Sequence, residues 1–420
     1  MDFNDYFYGG YWEKQMNIMW LSDSPLTVTG YATITWNILN KLSDAGHTCY
    51  ALGHNYVGQT IPPGLKLKDG TKMKFTIISG GPAPYAQNLI QPYIKKYKID
   101  VFAVLLDTFM LYPWILNMDF SPAKTIFYFP SDGGGGMPLG CENILRKVNC
   151  PVSMSKYGQQ QVKEMYNIDT KYIPHAIDIK NYKPLSAPEK ENIRAKWGLN
   201  NKFVVGTVAR NQGRKMMDRT LKAFKLFAQN KEDVVLFMHT DPADMAAPFD
   251  MMQLINRYEL NNKVVLSGMT FYNGFDYKEM NEVYNVMDIF LLTTSGEGFG
   301  VPIIEAQACS IPCVVTDYTT TEELVLEPKS GVGINLVGTT ETQNPRVHTK
   351  QIIDGTLTGS WNVERGICSI EDCAKKLQYL YDNKNIAKEL GENGLKNATE
   401  NYNWDKVGNE WCDLMEELVK

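Results

Sequence analysis

Two runs of alternating β-rich and helical pattern, split by one charged, turn-rich segment, constrain this chain more than any other feature. The first opens with the apolar strand Asn17–Leu21, the loop SDSPLTVTGY, and a helix with Ile34, Ile38, Leu42 and Ala45 at helical spacing. Gly46 stands where a helix end favours positive φ, and His47–Leu52 reads as the next strand. Val101–Leu106, Thr125–Phe129 and Pro151–Ser155 read as further strands, with the glycine-rich loop SDGGGGMPLG starting at Ser131. The segment IDIKNYKPLSAPEKENIRAKWGLNNK, with two prolines and alternating charge, reads as a boundary. Beyond it come strands at Phe203–Val208, Val234–His239, Val264–Ser267, Ile289–Thr293 and Pro312–Thr316, with Asp218 expected to cap a helix over 219–229. Strands that alternate with helices predict parallel sheets flanked by helices. The expectation is therefore α/β, in two domains, 16–178 and 179–401. An extension, residues 1–15, precedes them, and a helix over about 402–420 closes the chain, with Trp404, Val407, Trp411, Leu414 and Leu418 at helical spacing.

The chain has 420 residues, enough for two or three domains at ~100–200 residues each. Its 42 Lys and Arg against 47 Asp and Glu give net −5, a bulk field that does not attract nucleic acid or anionic lipid. The best local basic cluster, Lys95, Lys96 and Lys98 beside Tyr93 and Tyr97, reads as a solvated helix end. No apolar run reaches the roughly 18 residues of a membrane helix. The start, MDFNDYFYGGYWEKQ, is acidic and aromatic, unlike a signal peptide, so a cytoplasmic protein is expected. The eight cysteines are scattered without a CxxC pair and read as reduced, mostly buried thiols.

The chemistry concentrates in SGEGFGVPIIEA, Ser295–Ala306. Glu297 and Glu305 lie eight positions apart, with Gly298, Phe299 and Gly300 as a turn between them. Pro302 suits the first position of a helix, where its missing N–H costs nothing. Free N–H groups and the helix dipole there make an anion site, and glycine admits a ligand close to the backbone. Glu305 is expected in the first helical turn and Glu297 just before it, both toward the carboxyl edge of the sheet. Such a turn can hold a phosphate through its backbone and sugar hydroxyls through its acids, with neither a metal nor a protein nucleophile. Along VVGTVARNQGRK, residues 204–215, Arg210, Arg214 and Lys215 follow a strand end, where cations can neutralise a diphosphate leaving group. Glycines placed for packing, exposed acids and surface cations are the alternative reading of both stretches.

The run TTSGEGFGVPIIEAQACSIPCVV resembles the Glu-x7-Glu signature of retaining glycosyltransferases of family 4, which have the GT-B fold. TGYA at Thr29–Ala32, CPVSMSKYGQQ, YIPHAIDIKNYKP, GTVARNQGRK and NYNWDKVGNEW resemble further segments of that family in the same order. The resemblance implies two Rossmann-like parallel-sheet domains facing a central cleft, with the last helix returning to the first domain. It implies a retaining transfer of a hexose from a nucleotide sugar, UDP-hexose favoured, with no metal cofactor. Arg210 and Lys215 would hold the diphosphate, and Glu297 would contact the sugar. Gly298, Phe299 and Gly300 would form the turn, with backbone contacts to sugar and phosphate. Glu305 would bind the ribose, Thr270 would border the base, and Gly30 would close over the phosphates. The family's first-domain histidine is replaced here by Ser131 and Asp132, which makes Asp132 a candidate on the acceptor side. His175 is read as a hinge or packing residue.

The acceptor stays open among a small molecule, a lipid-linked sugar, a protein, a polysaccharide and modified DNA. A dinucleotide dehydrogenase would want GxGxxG after the first strand, and only Gly30 stands there. A sugar-nucleotide epimerase, a phosphorylase and a non-catalytic nucleotide-binding module remain as alternatives.

Overall fold

A computed structural model of the chain describes residues 15–66, 70–112, 114–135, 137, 140–244, 247–270, 274–342, 351–353, 356–358 and 363–420. The aromatic extension, apart from Gln15, and part of the SDGGGGMPLG loop lie outside the described residues. Seven strands build the first sheet: β1 (Asn17–Ser22), β2 (Thr48–Gly53), β3 (Thr76–Ser79), β4 (Val101–Val104), β5 (Lys124–Phe129), β6 (Cys150–Ser153) and β7 (Lys171–Tyr172). They are all parallel, in the order β3-β2-β1-β4-β5-β6-β7. The second sheet is also parallel. It holds β8 (Phe203–Val208), β9 (Val234–His239), β10 (Val264–Leu266), β11 (Ile289–Leu292), β12 (Cys313–Thr316) and β13 (Gly331–Ile334), in the order β10-β9-β8-β11-β12-β13. The central strands, such as IFLL of β11 and VVLFMH of β9, are buried along their whole length, as strands covered on both faces must be.

In each sheet the order reverses at one central pair, β1/β4 in the first and β8/β11 in the second. At such a reversal the flanking crossovers leave on opposite faces, and a crevice opens at the carboxyl ends of the strands. An antiparallel arm, β14 (Leu336–Thr342) with β17 (Val363–Cys368), leaves the second lobe and bridges through Glu364 to Gly134 of the first. Between its strands lies a short pair, β15 (Gln351–Ile353) and β16 (Thr356–Thr358).

The chain crosses between lobes twice, and the crossings touch where Ile177 N–H donates to Tyr402 C=O at 2.8 Å. Helix Lys384–Asn401 packs on helix Val301–Ala308 of the second lobe, and helix Trp404–Val419 then packs on helix Gly30–Asp44 of the first. Its Trp411 is fully buried edge-on to Trp20 (5.1 Å between ring centres) and Tyr128 (4.9 Å). Among the described residues no helix is long and apolar enough to cross a membrane. All eight cysteines are free and buried.

Two local expectations are corrected. Asp218 does not cap its helix: the helix is Met217–Phe227, entered through Met216 in the left-handed region (φ 47°), and Asp218 sits in the first turn paired with Lys222 at 3.0 Å. Lys215, just before that turn, is buried. Glu305 is not in the first turn of helix Val301–Ala308 but one turn further in, because the helix begins at Val301, one residue before Pro302. Lys96 lies at the end of helix Ile90–Lys96 over the Tyr97 ring, an exposed helix end.

Since Trp411 is clamped between two first-lobe aromatic rings, Trp411→Ala should cost about 3–5 kcal/mol in a urea unfolding transition followed by first-lobe fluorescence. A loss below about 1 kcal/mol would show that the terminal helix adds little to that lobe.

Candidate active site

The crevice of the second lobe is built by the loops after β8 and β11. The first ends in a tight turn, Gly213–Lys215, and the second is the glutamate stretch. The two are stitched together where Ser295 N–H donates to Arg214 C=O at 2.7 Å. This places Glu297 between two cations. Lys215 Nζ donates to its Oε1 at 2.5 Å and Arg214 Nη1 to its Oε2 at 2.8 Å. Lys215 is 6% exposed and Glu297 5% exposed, while the Arg214 side chain keeps 29% of its surface toward the cleft. Burial alone would raise the Glu297 carboxyl, but Arg214 and Lys215 outweigh it and hold it down at about 2. Burial, helped by the neighbouring Arg214, lowers the Lys215 ammonium to about 8 against the opposite pull of Glu297.

The first lobe meets this cluster with its own reversal point. Tyr31, at the start of the helix after β1, donates to Asp107, after β4, at 2.9 Å. Burial raises the Asp107 carboxyl to about 6, and Asp132 adds to the rise. Asp132, after β5, faces Arg214 Nε at 3.8 Å. Its carboxylate accepts two hydrogen bonds from Arg365 Nη2, at 3.1 and 3.2 Å, and its carbonyl accepts one from Arg365 Nη1. Gly296 makes the approach possible. Its φ of 151° and the nearness of the Asp132 carbonyl leave no room for a Cβ.

The other expected site residues are distributed around this centre. Arg210 is not among the cations on Glu297; its guanidinium is 40% exposed and binds Asp244 at 2.6 and 3.3 Å. Glu305 is half-buried and accepts from Tyr284 Oη at 2.5 Å. Burial raises its carboxyl to about 7, partly offset by hydrogen bonds from Tyr284 and Tyr182. Gly298 lies against Pro130 of the first lobe, and Gly300 takes φ 112° at the helix start. The Phe299 ring is buried against His175 (5.0 Å) and Tyr402 (5.6 Å), and its carbonyl accepts from Thr320. His175 is itself buried in packing, with Nδ1 2.7 Å from Tyr128 Oη. Gly30 opens the helix after β1 next to its cap Thr29, with free space where a Cβ would stand. Thr270 is exposed beyond β10, two strands away from β8.

Sequence reasoning grouped Arg214 with the cations that can face a diphosphate but did not place it among the donor-binding residues, and it missed Arg365, Tyr31 and Asp107. An acid directly after a fully apolar strand, as in VFAVLLD, was a usable signal for Asp107. Tyr31 adjoins Gly30 and was within reach. Arg365 carries none, because it arrives on an antiparallel arm far along the chain.

Residues 189–335 match the family model described as glycosyl transferases group 1. The mannosylfructose-phosphate synthase of Agrobacterium fabrum is 26% identical over 163 residues, 36% of this chain and 34% of that protein. A GDP-mannose-dependent phosphatidylinositol monomannoside mannosyltransferase of Corynebacterium glutamicum is 25% identical over 202 residues, 43% of this chain and 49% of that one. The chain spans between 34% and 60% of the length of the curated relatives it matches. Among solved structures, the sucrose-phosphate synthase of Thermosynechococcus elongatus has TM-score 0.73 at 15% identity, covering 96% of this chain and 99% of that one. Anabaena HepE in complex with UDP and glucose has TM-score 0.68 at 16% identity, covering 96% of this chain and 100% of that one. These likenesses show the two-lobed GT-B fold, and residues 189–335 of it are similar to the glycosyl transferases group 1 family.

Proposed function

We propose that the protein is a retaining, metal-independent hexosyltransferase that takes a nucleoside-diphosphate hexose, UDP-hexose favoured, and passes the sugar to an acceptor hydroxyl. The observation that carries this reading is the Arg214–Glu297–Lys215 cluster at a strand-order reversal, facing a second reversal across the cleft. The UDP preference is supported by the UDP, UDP–glucose and UDP with glucose complexes of HepE, which shares the fold.

In this reading the donor diphosphate enters beside Arg214 and Lys215, and Arg210 joins it by exchanging Asp244 for a phosphate oxygen. The bond from the anomeric carbon to the diphosphate oxygen breaks as the acceptor oxygen bonds to the same face of that carbon. The acceptor proton passes to the departing diphosphate. No protein nucleophile is required; the protein supplies charge held in place beforehand, the contribution that preorganised donors make to a leaving group. Glu297 takes hydroxyls of the sugar, and Glu305 takes hydroxyls of the ribose. Asp132 lies on the acceptor side of the cleft.

Lys215→Ala should lower kcat by about 100-fold, as loss of a preorganised charge does, with a much smaller change in donor KM. Turnover is followed by UDP release from UDP-glucose with candidate acceptors, and the product's anomeric configuration by NMR. Equal losses in kcat and KM would refute a role confined to the transition state. An altered sugar nucleotide formed without acceptor would indicate an epimerase.

Because Glu305 titrates near 7, it is neutral below that pH and a better acceptor above it. UDP-glucose, whose diphosphate does not titrate in that range, should bind more tightly as pH rises toward 7, below the range in which Lys215, lowered to about 8, gives up its proton. Calorimetric titration of wild type should show the rise and Glu305→Gln should flatten it. A wild-type affinity that stays flat as pH rises toward 7 would remove Glu305 from the ribose.

A further inference from the structure

Three consecutive residues of the antiparallel arm hold the front of the cleft. Glu364 exchanges backbone hydrogen bonds with Gly134 of the first lobe, both at 3.1 Å. Gly366 N–H donates to Ser295 C=O of the glutamate stretch at 3.0 Å. Arg365, between them, turns its side chain to Asp132. Its Nη2 donates to both carboxylate oxygens, at 3.1 and 3.2 Å, and its Nη1 donates to the Asp132 carbonyl. That side chain is 13% exposed. The backbone bonds of Glu364 and Gly366 anchor the arm to both lobes, so its anchorage does not depend on the guanidinium alone.

Asp132 stands between two guanidiniums that meet it differently. Arg365 hydrogen-bonds it, whereas Arg214 Nε stays 3.8 Å from Oδ2, beyond hydrogen-bond range. Among the described residues these are the two cations within 4 Å of the carboxylate. Arg214 Nη1 donates instead to Glu297 Oε2 at 2.8 Å and to the Gly296 carbonyl at 3.2 Å. Burial works against the Arg214 charge, and Glu297 and then Asp132 more than offset it, so the guanidinium is raised. Asp132 is thus felt at Arg214 although no hydrogen bond joins them.

An acid this close competes with any anion that approaches the same guanidinium. Hydrogen bonds between ions are the strong ones, and Arg365 makes two of them to the carboxylate. Without them, a shift of about 1 Å would bring Asp132 into hydrogen-bond range of Arg214.

We infer that Arg365 is a positioning residue for donor binding: by holding Asp132 it keeps that carboxylate from closing on Arg214, and so leaves Arg214 to the diphosphate of the nucleotide sugar. This rests on the reading that the diphosphate lies beside Arg214 and Lys215. Arg365 acts through Asp132, and its effect disappears when Asp132 carries no charge.

The test is calorimetric titration of UDP into the full chain and its variants. Arg365→Ala should bind UDP about 10-fold more weakly, and adding Asp132→Asn should restore the affinity to within about 2-fold of wild type, a coupling of the size seen for groups in one network. Asp132→Asn alone should bind UDP at least as tightly as wild type. Arg365→Lys keeps the charge but lacks the planar fork, and should lose about 3-fold. If Arg365 only braced the arm, the double variant would bind UDP as weakly as Arg365→Ala or more weakly, and that result would overturn the inference. Undiminished affinity in Arg365→Ala would overturn it as well, and so would full affinity in Arg365→Lys, where a positive charge alone would suffice. Should Arg365→Ala melt early, Arg365→Lys with and without Asp132→Asn gives the same comparison. A wild type that does not bind UDP would overturn the diphosphate reading and this inference together; a wild type that binds it, without rescue in the double variant, overturns this inference alone.

Discussion

One buried carboxylate between two cations organises the second lobe. Glu297 cannot be taken out of water alone, because an unpaired buried charge costs several kcal/mol. It is stable only where Lys215 and Arg214 reach it. That requirement pins the loop after β8 to the loop after β11, and Ser295 seals the junction with a backbone hydrogen bond. The buried Lys215 is followed directly by the left-handed turn at Met216, from which the helix behind it starts. Site and scaffold are thus the same set of contacts: a change at the charged centre is felt in the packing of the helix that follows.

The first lobe is tied to this centre in two chemically different ways. At the cleft the ties are polar and partly exposed: Arg365 and Arg214 pair with Asp132, and the Gly134 backbone N–H donates to Tyr318 Oη. At the hinge they are aromatic and dry. Phe299 meets His175 edge-to-face, and so do His175 and Tyr128, Tyr128 and Trp411, and Trp411 and Trp20. Partly exposed ion pairs are cheap to exchange, whereas a packed aromatic series is not. The firmer of the two connections between the lobes is therefore the aromatic one.

How much of this was legible in the sequence depends on the range of the interaction. Both parallel sheets followed from apolar runs such as FVVGTV and IFLL, whose length and patterning are local properties. The glutamate turn was equally visible, because Gly298, Gly300 and Pro302 write their backbone needs into adjacent letters. Short edge strands such as Lys171–Tyr172 left no pattern to read, since two residues carry no period. Which cation meets Glu297 was beyond the sequence. Arg210, Arg214 and Lys215 share one loop, and the choice among them is made by the turn at Gly213–Lys215, which points Lys215 inward and leaves Arg210 to Asp244. Arg365 lies 233 positions from Asp132, and nothing in either neighbourhood announces the pairing.

The proposed chemistry also gives these pairings a purpose beyond stability. Glu297 accepts from Arg214, Asp132 faces Arg214 at 3.8 Å, and Asp132 accepts from Arg365. A donor diphosphate brings its own negative charge to the same place. It does not meet a bare cationic pocket that would hold it equally tightly before and after bond breaking, which would lower KM without raising kcat. It meets cations already shared with carboxylates, so attraction is modest while the sugar is attached. As the glycosidic bond breaks, charge accumulates on the departing oxygens. Arg214 and Lys215 then shift their bonds from carboxylate to phosphate at the moment when that is most favourable. On the proposed reading, the acids in this cleft are therefore as necessary as the bases, because they keep the cations in position without letting them bind the ground state too well.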